Sequence, residues 1–168
     1  MSTRNSYERE LPRPSRIQVT SVTAALLALT GLIHVGLGLY GIGHLAVTGE
    51  PASTLDPLFL LAGVAIFVGM WVVATERLSY YRASLLGAGL MALMLWAYAD
   101  WHAFEYTESA LGLGEAGHSH DHGHAHEGSA TTVLIDHLRG DVVALTSKAA
   151  ELALIPLLCW LAYLHRPQ

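Results

Sequence analysis

The chain has 168 residues, of which 52% are hydrophobic and 14% charged, against roughly 25% charged in an average soluble domain. Its 23 Asp, Glu, Lys and Arg residues are unevenly placed: 17–49, 57–75 and 83–99 contain none, and 142–165 contains only Lys148 and Glu151. Elements of a soluble fold need a polar face towards water, so this distribution argues against a soluble enzyme and a disordered chain. The net charge of −5 leaves no basic footprint and no nucleic-acid partner.

In chain order, a polar arm (1–16) precedes a single domain (17–165) that occupies the lipid bilayer. A span needs roughly 20 apolar residues at about 1.5 Å each, and four segments are long enough. The first, 17–49, is longer than the roughly 7–15 residue apolar core of a cleavable signal, and an uncleaved anchor is expected. Gly49, Pro51 and Pro57 bracket the next turn, with Pro57 in the first turn of the second helix. The third segment, 83–99, reaches full length if it continues to Phe104. The fourth, 142–164, contains Pro156, which frees the carbonyl of Leu152 and predicts a kink. None of these segments alternates apolar with polar residues as a barrel strand does. The predicted fold is all-α, an integral membrane bundle of four transmembrane helices.

Arg and Lys in short loops set orientation. Arg4, Arg9, Arg13 and Arg16 precede the first span, Arg77 and Arg82 lie between the second and third, and Arg166 follows the fourth, whereas 50–56 and 106–130 have none. The pattern predicts a cell-membrane protein with both termini cytoplasmic and the 106–130 loop extracytoplasmic.

That loop contains His118, His120, His122, His124 and His126 at alternate positions, with Asp121 and with Gly117, Gly123 and Gly128, which would let the backbone fold round an ion. In extended chain, alternate side chains point the same way, and neutral imidazoles suit Zn, Ni, Co and Cu. The only cysteine is Cys159, so neither an intrachain disulfide nor a thiolate-rich zinc site is expected. The run resembles the His-rich loops between helices of zinc, nickel and cobalt transporters, which implies capture of a divalent transition metal. Its imidazoles would also gain charge as pH falls through about 6.5, a second role as a pH sensor. The blander reading is a low-complexity polar linker.

Ionisable residues inside a bilayer are costly and are therefore candidate functional groups. His34 falls near the middle of the first span and shares a helix face with Thr30, Gly31, Gly38 and Gly41, a seam that admits another helix or a flat cofactor. His44 lies towards the outer end of the same span. At the outer end of the third span, His102 and Glu105 are i,i+3 neighbours near Asp100, among Trp96, Tyr98, Trp101 and Tyr106 of an interfacial aromatic belt. If 135–165 is one continuous helix, His137, Asp141, Lys148 and Glu151 form a descending polar stripe in which Lys148 pairs with Glu151; Gly140 is where the helix could break. These groups gather towards the outer half, and the inner half offers only Cys159. Structural alternatives stand beside each: a hydrogen-bonded packing histidine, wet interfacial residues, and an ion pair that fixes helix packing.

No nucleophile elbow, phosphate loop or dinucleotide fingerprint is present. The leading expectation is binding or assisted transport of a divalent transition metal (Zn, Ni, Co or Cu), with His118, His120, His122, His124 and His126 capturing the ion and His34, His102, His137, Glu105 and Asp141 holding it. The alternatives are a non-catalytic subunit or assembly partner, packing against another membrane protein or a second copy, and a b-type haem redox protein.

Overall fold

The computed structural model describes residues 15–49, 55–101 and 130–167. These are all-helical: α1 (Arg16–Thr48), α2 (Leu55–Ala74), α3 (Tyr80–Ala99), a short α4 (Ala130–Gly140) and α5 (Val142–Leu164). Among the described residues α1, α2, α3 and α5 are long and apolar enough to cross a membrane, in close agreement with the four segments expected. Their outward faces remain apolar, with Leu32, Leu39, Leu61, Leu86, Leu93, Leu152 and Trp160 all exposed. Such faces suit hydrocarbon and not water.

Helix ends follow local chemistry. Ser15 caps α1 in a reciprocal box, its Oγ accepting from Gln18 N–H at 3.3 Å while Gln18 Oε1 accepts from Ser15 N–H at 2.8 Å. Gly49 ends the helix at φ 73°, where its N–H reaches the Leu45 carbonyl at 3.0 Å. α2 opens with Asp56 and Pro57 in its first turn, as expected. It closes with Glu76 at φ 58°, the Glu76 and Arg77 N–H groups returning to Val73 and Val72 at 3.0 Å each. Ser79 caps α3, which therefore starts before the apolar run proper.

The stripe helix is not continuous. Asp141 is extended (φ −127°, ψ 102°), and its Oδ1 accepts from the N–H groups of Val143 at 2.8 Å and Ala144 at 3.1 Å. Gly140 is a poor helix former and Asp a strong N-cap whose charge suits the helix dipole, so the chain breaks there. α4, with 11 residues, is too short to span a bilayer. Pro156 lies inside α5, which runs on to Leu164.

The helices pack as two tight pairs, α1 with α2 and α3 with α5, joined mainly through α1 and α5; α2 and α3 follow one another in sequence yet barely touch. Ile66, Ala88, Met91, Met94, Leu154 and Leu158 form the shared core. The α1–α2 contact depends on missing side chains. A Cβ at Gly38 would lie 2.6 Å from the backbone nitrogen of Leu60, and one at Gly63 would lie 2.7 Å from that of Val35. By contrast Gly36, on the exposed face of α1, has open space around it.

Gly38→Ala and Gly63→Ala should therefore each lower stability by about 1–3 kcal/mol through overpacking. Gly36→Ala should leave it unchanged or raise it by up to about 1 kcal/mol through helix propensity. Unfolding of the three variants in one detergent checks this, and equal effects would contradict the close-packed seam.

Candidate functional site

The expected small-residue face of α1 is buried as a unit: Thr30, Gly31, His34, Gly38 and Gly41 all turn inwards. His34 is 2% exposed, and from α5 it meets Glu151, which is 0% exposed. His34 Nε2 lies 3.5 Å from Glu151 Oε1. The opposite ring nitrogen, Nδ1, is 2.9 Å from the Thr30 carbonyl oxygen. A carbonyl can only accept, so Nδ1 carries the hydrogen and donates it. In the neutral ring this leaves a lone pair on Nε2 directed at the carboxylate, a contact that becomes attractive when a proton or another cation lies between them.

Glu151 is also held by its own helix. Lys148 Nζ donates to both carboxylate oxygens at 2.8 Å, and Ser147 Oγ donates to Oε1 at 2.9 Å. The expected Lys148–Glu151 pair is thus formed, with i,i+3 spacing. Its surroundings come from the other spans. Lys148 Nζ sits 5.1 Å from the centre of the Tyr98 ring of α3, a cation–π contact. The His34 ring meets Phe59 of α2 edge-on at 5.5 Å between centroids. One turn before His34, Thr30 Oγ1 is buried without a hydrogen-bond partner among the described residues.

The cluster lies towards one end of the bundle. Glu151 is nine residues from the start of α5 and thirteen from its end, about 14 and 20 Å along the axis. Asp100, at the same end of α3, is buried at 2% exposure. Asp141 does not join the cluster: it caps α5, ten residues before Glu151 and about 15 Å away along the helix. His44 is on the exposed face, 3.3 Å from Thr48 Oγ1. His102, Glu105, His118, His120, His122, His124 and His126 lie outside the described residues, as does the side chain of His137, whose backbone is in α4.

The sequence alone assigns Tyr98 to an aromatic belt and gives Ser147 no role. The i,i+4 spacing of Ser147 and Glu151 was a usable signal for the second, whereas the placement of Tyr98 beneath Lys148 depends on tertiary packing. Chemically the site offers one imidazole nitrogen and one carboxylate, with a lysine as resident counter-charge. Among the described residues no three His, Cys, Asp or Glu side chains converge, so the pair is a two-donor point for a proton or cation, not a closed metal cage. Comparison of the chain with protein families, curated proteins and solved structures finds no match.

Breaking this network should be costly. Glu151→Gln or Lys148→Met alone leaves one buried charge uncompensated and should destabilise by about 3–5 kcal/mol. The double variant Lys148→Met, Glu151→Leu should recover most of that loss. Unfolding measurements on the three proteins check this; a double variant as weak as the sum of the singles would contradict the pairing.

Proposed function

We propose that the protein binds a divalent transition metal (Zn, Ni, Co or Cu), or assists its transport. The ion is captured by the His-rich loop and presented to an outward-facing polar site built around His34 and Glu151. The observation that carries this reading is the pairing of His34 Nε2 with a fully buried carboxylate inside an otherwise apolar bundle. Intramembrane ionisable groups are retained chiefly where they mark an ion pathway or a binding site. The site is also pre-oriented: Nδ1–H is committed to the Thr30 carbonyl, which presents Nε2 as a donor in the manner of metal-bound histidines anchored through their other nitrogen. An arriving cation replaces Lys148 as the counter-charge of Glu151 and takes the Nε2 lone pair. His102, Glu105, His137 and Asp141, expected from the sequence to hold the ion together with His34, are proposed here as a relay between loop and buried pair instead.

The orientation belongs to the same proposal. Arg16, Arg77, Arg82 and Arg166 lie at the end of the bundle formed by the start of α1, the α2–α3 turn and the end of α5, and the positive-inside rule assigns that end to the cytoplasm. The His-rich loop and the polar cluster then face outwards.

A second reading, attachment to a partner helix, is favoured by Gly36 and Gly43. They lie seven residues apart on the exposed face of α1, each with open space at its Cβ position, and such faces admit close helix approach.

Elemental analysis and metal titration of the detergent-purified protein test the main proposal. The wild type should retain metal, and replacing His118, His120, His122, His124 and His126 with Ala should remove most of it. His34→Gln should weaken binding by at least roughly tenfold, the scale on which even outer-shell changes act. Metal content unchanged by both substitutions would refute the proposal.

A further inference from the structure

The opposite end of the bundle carries a separate feature that the metal reading does not use. Because α2 and α3 splay apart, a cavity of about 550 Å³ opens between them, floored by α1 and α5. This is within the roughly 300–1,000 Å³ range of small-molecule sites. It runs along α3 from Tyr80 to Met91, about 16 Å at helical rise, so it is a slot and not a bowl. No Asp, Glu, Lys, Arg or His lines it. Of the four hydroxyl-bearing residues in its lining, Thr20, Thr23, Tyr80 and Ser84, the two threonines already donate to the carbonyls of Arg16 at 2.9 Å and Val19 at 2.8 Å. The slot walls thus match a flexible hydrocarbon chain far better than a polar guest.

The mouth has the opposite character. Thr20, Ala74, Leu78, Tyr80 and Leu161 mark the end of the slot; Arg16 precedes Thr20 by four residues, Arg77 adjoins Leu78, Arg82 lies two residues into α3 from Tyr80, and Arg166 follows Leu161 by five. His165 stacks on Tyr80 at 5.0 Å, tying the end of α5 to this rim. Arg77 lies 4.9 Å over the Trp71 ring and Arg166 lies 4.6 Å over Tyr163, so both guanidinium groups rest on interfacial aromatics. Glu76 is the one acid among the described residues of this rim. An apolar slot with four arginines grouped in the chain around one end is complementary to an amphiphile with an anionic head.

We propose that this groove is a lipid-binding site, taking one acyl chain of an anionic phospholipid between α2 and α3 with the phosphate on these arginines. The lipid fills the void left by the splayed helices, and arginine's planar fork suits phosphate oxygens.

Gly69 allows a clean test, because it lines the slot and has open space at its Cβ position. A Cβ there meets no atom within 4 Å, so leucine is the substitution expected to obstruct the groove. Gly89, also exposed with open space but outside the slot, is the matched control. The full chain in mild detergent is titrated with phosphatidylglycerol or with phosphatidylcholine of the same chains, and retained lipid is read by native mass spectrometry. The wild type should hold one phosphatidylglycerol at least roughly tenfold more tightly than phosphatidylcholine, as basic side chains at an anionic headgroup imply. Gly69→Leu should lose it and Gly89→Leu should keep it. The pair Arg77→Gln, Arg82→Gln should bind both lipids equally. Retention by Gly69→Leu, equal binding of the two lipids by the wild type, or a second copy of the chain in place of lipid would each overturn the proposal. Helical circular dichroism verifies folding, and if Gly69→Leu does not fold, the wild type and the arginine variant decide the matter alone.

Discussion

The arrangement turns on one carboxylate placed where water cannot reach it. Glu151 is fully buried, and an isolated charge there would cost several kcal/mol. Its compensation draws on all four of the long apolar helices. Lys148 and Ser147 come from its own helix, His34 approaches from α1, the Tyr98 ring of α3 faces the lysine Nζ, and Phe59 of α2 packs against His34. Hydrocarbon provides no hydrophobic drive for helices to associate, so a polar knot of this kind specifies how the two helix pairs meet. The same residues are the ones with ion-binding chemistry, which makes packing and proposed function inseparable at this point.

The bundle is consequently divided along its axis. Towards one end the interior is polar, with His34, Asp100, Ser147 and Glu151 all buried. The middle is an apolar core around Met91 and Leu154. At the other end the interior opens into a slot lined by no Asp, Glu, Lys, Arg or His. The glycine contacts of α1 and α2 close one side of the bundle tightly, at Gly38 against Leu60 and at Gly63 against Val35. With no equivalent seam between α2 and α3, that side stays open. The proposed metal chemistry at one end and the proposed lipid contact at the other would be independent consequences of this division.

Much of the fold was legible because its signals are local. Absence of charge marks the spans, Gly49 and Pro57 mark ends, and i,i+3 spacing forecasts the Lys148–Glu151 pair. The buried face of α1 follows from helical period applied to Thr30, His34 and the glycines. Asp141 shows the competition between two local rules: periodicity assigns it to a stripe, while its affinity for free N–H groups next to Gly140 makes it a cap and ends the stripe. The meeting of His34 with Glu151 was not legible, because it joins residues more than a hundred positions apart through packing. The slot was hidden for the same reason, since it arises from a contact that two consecutive helices fail to make.

The buried site stands or falls with energetic coupling between His34 and Glu151 across the α1–α5 interface. A double-mutant cycle using His34→Gln and Glu151→Gln, read by reversible unfolding in detergent, measures it. Coupling of about 0.5–3 kcal/mol, the range for residues in one polar network, is the predicted result. Additive effects, with coupling near zero, would mean that the two residues are neighbours without an interaction, and the buried site would lose its basis.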